Sequence, residues 1–243
     1  MSLIPLLLLF FSVIGFLIRH HTNATGRLEQ LLASNRANEM SGAATRWETT
    51  DRSQLNLIGS RIEVSRLGSF FGLVELDVNG EATQIFDWDL GADLAGGTHS
   101  VFSQTVISFA PQELPVPPFC LYPQPQHLVS RENYAQLRYQ QPVESAAVHD
   151  MGFGLDSIQP MHVRELFNTE TAAQELLPFV RDRNWTVEWT SRHLIVYCQN
   201  KSVDPDQLKY FAADALRLAE LIRQADDEAE LAISARIAAS VGR

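Results

Sequence analysis

The stretch SFFGLVELDV-NG-EATQIFDWD, from Ser69 to Asp89, decides the fold predicted for this chain. Both halves are short and rich in aliphatic and aromatic residues, which is typical of β-strands. Asn79-Gly80 separates them, and both central positions of a two-residue type I′ turn need the positive φ that Asn and Gly tolerate. The sequence therefore predicts an antiparallel hairpin at this point.

Segments C-terminal to this hairpin also have the composition of β-strands. Val101–Phe109 is predicted to form a third strand, and Trp185–Trp189 with His193–Cys198 is predicted to form a second hairpin. The segment Pro111–Pro125 contains too many prolines for a helix or a central strand, because proline cannot donate a ladder hydrogen bond. We expect it to pack as an extended strap over the sheet.

The second half of the chain also contains helical patterns. Apolar residues at helical spacing predict a broken helix over His162–Phe167 and Thr169–Arg181. Asp204 followed by Pro205 predicts the start of the last helix, as a capping residue before a proline at the first helical position. The acidic run Asp226–Glu230 is interpreted as a solvated continuation of that helix. Together these patterns predict an α+β fold of antiparallel hairpins packed with helices.

The N-terminal sequence MSLIPLLLLFFSVIGFLI contains no charged side chain. As a helix it would be about 27 Å long, close to the hydrocarbon thickness of a bilayer. We therefore expect Met1–Ile18 to be one transmembrane helix, in which Ser12 and Gly15 provide small surfaces for packing against other membrane helices. A cleaved signal peptide is less favoured because no basic residue precedes the run, and a soluble helix is less favoured because the run has no polar face.

Basic residues follow this apolar run but do not precede it. Arg19, Arg27 and Arg36 lie on its C-terminal side. This asymmetry predicts a single-pass protein of the bacterial inner membrane whose C-terminal domain is cytoplasmic. Cys120 and Cys198 lie in apolar segments typical of buried thiols in a reducing compartment, and a periplasmic domain with one disulfide is the alternative.

The predicted organisation has four parts. They are a transmembrane anchor at 1–18, a juxtamembrane helix and linker at 19–54, a β-rich lobe with the proline-rich strap at 55–145, and an α+β lobe ending in a long helix at 146–243. The net charge of −10 argues against a nucleic-acid partner, because phosphate binding needs an excess of positive charge. We expect the bilayer and other membrane protein subunits as partners.

Candidate catalytic residues are few. The sequence has no phosphate loop, no GxSxG or HExxH motif and no cysteine pair with zinc spacing, so we expect no cofactor and no metal. Asp87 and Asp89 share one face of a predicted strand, and His99 could approach them across a hairpin. Such a group could form a carboxylate–imidazole site or a weak metal site, although a solvated strand end explains the same residues more simply.

Other polar residues have local explanations. Cys198 ends an apolar strand five residues after His193, so the two side chains are expected on opposite faces and a Cys–His catalytic pair is disfavoured. Two further sets are interpreted as local polar pairs: His149 with Asp150, and His162 with Glu165.

The proline-rich segment is also a candidate contact surface. A polyproline-like ridge loses little conformational entropy on binding and could dock a partner. A strap that covers the core of its own domain is the interpretation favoured over it. The residues that would form the ridge are Pro115, Pro117, Pro118, Phe119 and Tyr122.

Several short segments resemble a family of uncharacterised bacterial membrane proteins. Ile85-Phe86-Asp87-Trp88-Asp89, Gln104-Thr105-Val106 and Leu114 to Pro123 follow one another as the FDYxY, QTV and LPxFxLxPE segments do in that family. The family has no assigned activity, so the resemblance implies a membrane-anchored architecture and no chemistry. The chain departs from the family pattern at Trp88, Leu90 and Gln124.

The sequence thus favours binding over catalysis. We predict a membrane-anchored accessory or assembly subunit of a membrane protein complex. The alternative is a membrane-tethered hydrolase or metal-dependent enzyme that uses Asp87, Asp89 and His99. An accessory subunit requires an exposed apolar or proline-rich surface, whereas the enzyme requires a deep pocket in which those three side chains converge.

Overall fold

The computed structural model describes residues 55, 57, 60, 69–78, 81–93, 99–111, 115–124, 141–198 and 201–241. Met1–Ile18, with Ser12 and Gly15, lies outside the described residues, and so does the Asn79-Gly80 turn. Within the described ranges, no helix is long and apolar enough to span a bilayer.

Among the described residues, eight strands form one sheet in the order β1-β2-β3-β8-β7-β4-β6-β5. Every neighbouring pair in this sheet is antiparallel. The strands are β1 (Ser69–Val78), β2 (Glu81–Asp93), β3 (His99–Phe109), β4 (Phe119–Pro123), β5 (Gln141–Pro142), β6 (Phe153–Ser157), β7 (Trp185–Trp189) and β8 (Leu194–Cys198).

The strands of both predicted hairpins are confirmed. β1 pairs with β2 from Val78↔Glu81 outward, the register that a two-residue connection requires. β7 pairs with β8 from Trp189↔Leu194 to Trp185↔Cys198. The type I′ conformation of the first turn stays a prediction.

The prediction for the proline-rich segment was wrong in one respect, because part of it forms an internal strand. β4 lies between β7 and β6 and pairs with both. The prolines flank the paired region: Pro117 and Pro118 precede it, and Pro123 is its last residue. Cys120, Leu121 and Tyr122 therefore keep the N–H groups that a central strand needs.

The sheet crosses the predicted boundary between the lobes at residue 145. β3 of the first lobe pairs with β8 of the second, from Val106↔Tyr197 to Phe109↔Leu194. β4 of the first lobe lies between two strands of the second. The described strands of the two lobes therefore share one sheet.

The predicted broken helix and the last helix are confirmed, and the structure adds one short helix that was not predicted. The helices are α1 (Ala146–Asp150), α2 (Pro160–Phe167), a π-helical turn (Ala172–Leu176) that continues into α3 (Leu177–Arg183), and α4 (Leu208–Val241), which a 3-10 turn (Pro205–Gln207) precedes. The break after α2 is at Asn168. The π turn ends at the first turn of α3, which contains Pro178. Because proline has no N–H, the regular α-helical hydrogen bond is missing at this position.

The start of the last helix was predicted closely. The N–H of Gln207 donates to the carbonyl of Asp204 (2.9 Å), and α4 begins one residue later and runs for 34 residues. The interpretation of Asp226–Glu230 as a solvated run was wrong for two of its members. The side chain of Asp226 is only 2% exposed, and Glu228 is half-buried and hydrogen-bonded to Thr171.

Each face of the sheet has its own apolar cluster. The helices cover one face, where the cluster includes Ile107, Leu121, Val187, Phe167 and Leu218. The second cluster lies on the other face of β2, β3 and β8 and includes Phe86, Val106, Ile195 and Tyr197, with Leu55 and Leu57 packed against them. Side chains from successive strand residues therefore enter two different clusters, as the alternation of a strand buried on both faces requires.

A glycine on β6 accommodates an aromatic ring on β4. Gly154 is the register partner of Tyr122. A Cβ atom at Gly154 would overlap Cε2 of the Tyr122 ring, closer than side chains approach one another. Tyr122 is buried, so its ring cannot move into solvent without loss of packing.

We therefore expect Gly154→Ala to destabilise the domain by about 1 to 3 kcal/mol in chemical denaturation, because the ring of Tyr122 must shift. In a Tyr122→Ala background the added methyl group meets no ring, and the cost of Gly154→Ala should fall to a few tenths of a kcal/mol, about the size of an uncoupled change. An equal cost in both backgrounds would contradict the assigned contact.

Candidate functional site

The strand register separates the residues of the predicted acid–histidine group. Asp87 is opposite Thr105 and Asp89 is opposite Ser103, whereas His99 is opposite Asp93 at the far end of β2. Asp93 lies six positions after Asp87, which corresponds to about 20 Å along a strand. The register therefore does not bring the backbone of His99 near Asp87.

Asp87 takes part in a hydrogen-bond chain within the domain. The hydroxyl of Thr105 donates to Oδ1 of Asp87 (2.7 Å). The same hydroxyl accepts from the N–H of Val203 (2.9 Å), and the N–H of Thr105 donates to the carbonyl of Lys201 (3.3 Å). These contacts attach the segment that leads from β8 to α4 onto β3. In the part of the chain that the structure describes, no group of three or more His, Cys, Asp or Glu side chains is placed to hold a metal ion.

The proposed proline-rich ridge is mostly inside the domain, which corrects its assignment as a partner contact. Pro117, Pro118, Phe119 and Tyr122 are buried, and Pro115 is exposed. The carbonyls of this segment bind the domain itself: the indole N–H of Trp189 donates to Val116, and the hydroxyl of Ser157 donates to Pro118 (2.7 Å). The segment covers its own core, which is the interpretation that the sequence favoured.

Two histidine pairs were predicted, and only the first is as expected. His149 and Asp150 are 4.0 Å apart and largely exposed. His162 does not pair with Glu165, because its Nε2 lies 2.9 Å from the buried carboxylate of Asp226. The sequence could not indicate this contact, since its partners are 64 residues apart.

Glu165 instead binds the far end of α4. Its carboxylate accepts from Arg236 (2.6 Å) and lies 3.7 Å from Arg164. The hydrogen bond from Arg236 holds the pKa of the Glu165 carboxyl below its usual value, against the opposing effect of its partial burial, and the two positive charges lower it further. This ion pair attaches the end of α4 to α2.

The thiol of Cys198 is not activated as a nucleophile. Burial raises the pKa of Cys198, against the smaller lowering effects of Lys201 and of a hydrogen bond with Asn184. Burial also lowers the pKa of His193, with a further contribution from the charge of Arg192. A neutral thiol and a neutral imidazole are the forms expected at neutral pH, whereas catalytic cysteines need the thiolate.

Two other features of the described residues are open to solvent. The first is a cavity of about 440 Å³ between β4, β6 and α1. The residues around it include Tyr122, Val148 and Phe153. They also include three acidic residues: Glu144 and Asp150, which are exposed, and Asp156, which is 6% exposed.

The second feature is the end of α4. One side of this helix packs on the domain along a stripe of buried residues that recur every three to four positions: Leu218, Ile222, Ala225 and Ala229. Ile233 and Ile237 continue the same stripe at four-residue spacing, but Ile233 is only half-buried and Ile237 is 59% exposed. Among the described residues, the inner side of α4 therefore extends beyond the apolar surface that covers it.

Comparison with known proteins adds little about function. No protein-family model matches this chain, and no curated protein matches it. A solved structure that matches is the crystal structure of the mycobacterial trehalose monomycolate transport factor A, with 11% sequence identity and a TM-score of 0.46. The match covers 82% of this chain and 94% of that chain. The resemblance of the short sequence segments to an uncharacterised membrane family stays an expectation.

We expect Arg236→Gln to raise the pKa of Glu165 toward its ordinary value, because the variant removes the charged donor that stabilises the carboxylate. In the wild type, the ion pair stabilises the folded state at pH values above the unfolded-state pKa of Glu165, which is about 4.3. This stabilisation is lost as the pH falls through the lower pKa that Glu165 has in the folded state. An NMR titration of the Glu165 side-chain carboxyl measures the shift. Arg217→Gln is the matched control on the same helix, and an equal effect of both variants would contradict the assigned pair.

Proposed function

We propose that this chain is a membrane-tethered accessory subunit that binds another subunit of a membrane complex through the exposed end of α4. The observation that carries the proposal is the continuation of the inner apolar stripe of α4 into Ile233 and Ile237, which the described part of the domain leaves half-buried and exposed, respectively. Exposed apolar surface that continues a packed face is typical of protein contact sites.

The chemistry of this surface suits an apolar helix as its occupant. The two isoleucines lie one turn apart, and the small side chains of Ala229 and Ala232 are close to them along the helix. Large and small side chains in this arrangement form the ridges and grooves into which a second helix packs. Met161 on α2 adds apolar surface nearby, since it is exposed and lies one turn before Glu165, the residue that binds Arg236.

The Arg236–Glu165 pair supports the proposal in a second way. It joins the exposed end of α4 to α2, while Asp226 with His162 and Glu228 with Thr171 join the preceding turns to the same region. A surface whose conformation is already fixed before binding loses less conformational entropy when a partner docks. The apolar sequence Met1–Ile18 supports the membrane tether.

The alternative of a tethered enzyme has less support. It requires Asp87, Asp89 and His99 to converge, and the strand register separates the first and last of these by about 20 Å. The carboxylate of Asp87 is engaged by Thr105, which itself binds Val203. These contacts support a role for Asp87 in holding the domain together.

The proposal predicts that Ile237→Asp abolishes recovery of the partner subunit after gentle solubilisation of native membranes and affinity purification of the chain. A charged side chain at an apolar helix contact leaves the charge desolvated and unpaired. Because Ile237 is exposed, the thermal unfolding midpoint of the domain should change little.

Leu231→Asp is the matched control. Leu231 is 72% exposed on the same helix, but it lies nine residues after Ile222 and therefore half a turn away from the stripe. This variant should retain the partner at the wild-type level. Loss of the partner in both variants, or in neither, would contradict the assigned surface.

A further inference from the structure

The exposed end of α4 carries charge along one flank of its apolar stripe. We propose that the surface around Ile233 and Ile237 binds an amphipathic helix of another protein, whose apolar face is bordered by Lys or Arg side chains. This inference rests on the proposed function, because it names the kind of partner that the same surface takes.

The flank of α4 that faces away from α2 is acidic. Glu230 lies beside both isoleucines, since it is three residues before Ile233 and seven before Ile237. Asp227 is three residues before Glu230 and extends the same flank by one turn. Both carboxylates are exposed, and neither forms an ion pair within the described part of the chain. Arg223, one turn earlier, is half-buried. The flank therefore carries two negative charges that no described ion pair neutralises.

The opposite flank of the stripe is already engaged by the domain. Arg236 is three residues after Ile233, whereas Glu230 is three residues before it. At about 100° per residue, these two side chains lie on opposite sides of the isoleucine. Arg236 binds Glu165 on α2 at 2.6 Å. The charges that this end of α4 offers to a partner are therefore acidic.

Charge distinguishes the proposed partner from a lipid surface. Amphipathic helices that lie on a bilayer carry Lys or Arg beside their apolar face, because the headgroup surface is anionic. Asp227 and Glu230 occupy such positions here, and the whole chain has a net charge of −10. An anionic bilayer repels this flank, whereas a basic helix is attracted to it.

A second copy of this chain also matches the surface less well. Each copy brings the same acidic flank to the contact, and like charges placed opposite one another oppose association. The cation beside the stripe, Arg236, is engaged by Glu165 within each copy. A basic amphipathic helix supplies the counter-charges, and its apolar residues pack on the two isoleucines as helices do in apolar grooves.

Photo-crosslinking from the acidic flank identifies the occupant. Ser234 is exposed and lies four residues after Glu230, so a photoreactive amino acid at position 234 of the full chain reports what faces this flank in native membranes. We expect mass spectrometry to place the crosslink in a segment of another protein that has helical apolar spacing and a net positive charge. A crosslink to lipid, to this chain or to a segment without net positive charge, or no crosslink from position 234, would overturn the proposal.

Charge reversal of the flank gives a second readout. Asp227→Lys with Glu230→Lys should lower the yield of the crosslink from position 234 by about tenfold, because two favourable exposed contacts become repulsive. Glu144→Lys with Asp150→Lys makes the same change of net charge at exposed positions outside α4 and should leave the yield within about twofold. An equal fall with both pairs of substitutions, or no fall with the first pair, would count against a basic partner.

The variant Ile237→Asp separates this inference from the proposed function. If Ile237→Asp abolishes recovery of the partner while the reversed flank keeps the full crosslink yield, the contact surface stands and a basic partner is excluded. If neither Ile237→Asp nor the reversed flank has an effect, both proposals fail.

Discussion

The antiparallel pairing of β3 with β8 is the contact on which the rest of the domain depends. β1, β2 and β3 pair in chain order, whereas β8 belongs with β7, β4, β6 and β5. Four residue pairs, from Val106↔Tyr197 to Phe109↔Leu194, join the two groups into one sheet. Thr105 on β3 also binds the backbone of Lys201 and Val203, so the same junction sets the position at which α4 begins.

The length of α4 connects this architecture to the proposed function. The helix has 34 residues, and its inner stripe is fully buried as far as Ala229. Beyond that point, among the described residues, the Arg236–Glu165 ion pair attaches the helix to α2. Apolar residues on the inner side of such an extension cost solubility unless they meet a partner, and this is the physical reason to treat Ile233 and Ile237 as a contact surface.

Local patterns in the sequence predicted local structure well. The Asn79-Gly80 signal and the alternating segments around it indicated β1 and β2, and Asp204 with Pro205 indicated the start of the last helix. The position of β4 was not predictable in the same way, because its prolines suggest an edge or a strap, and only its pairing with β6 and β7 shows that they flank the hydrogen-bonded residues. Sequence-distant contacts were missed for a related reason. Asp226 lies in an acidic run, a pattern typical of a solvated surface, but it is buried and paired with His162, which is 64 residues away.

Site-specific photo-crosslinking in native membranes tests the proposed contact most directly. A photoreactive amino acid at position 237 lies on the inner stripe of α4, and one at position 231 lies half a turn away from that stripe. We expect position 237 to yield a crosslink to one defined membrane protein subunit and position 231 to yield none. The absence of a crosslink from position 237, or the same products from both positions, would contradict the role of α4 as a subunit contact.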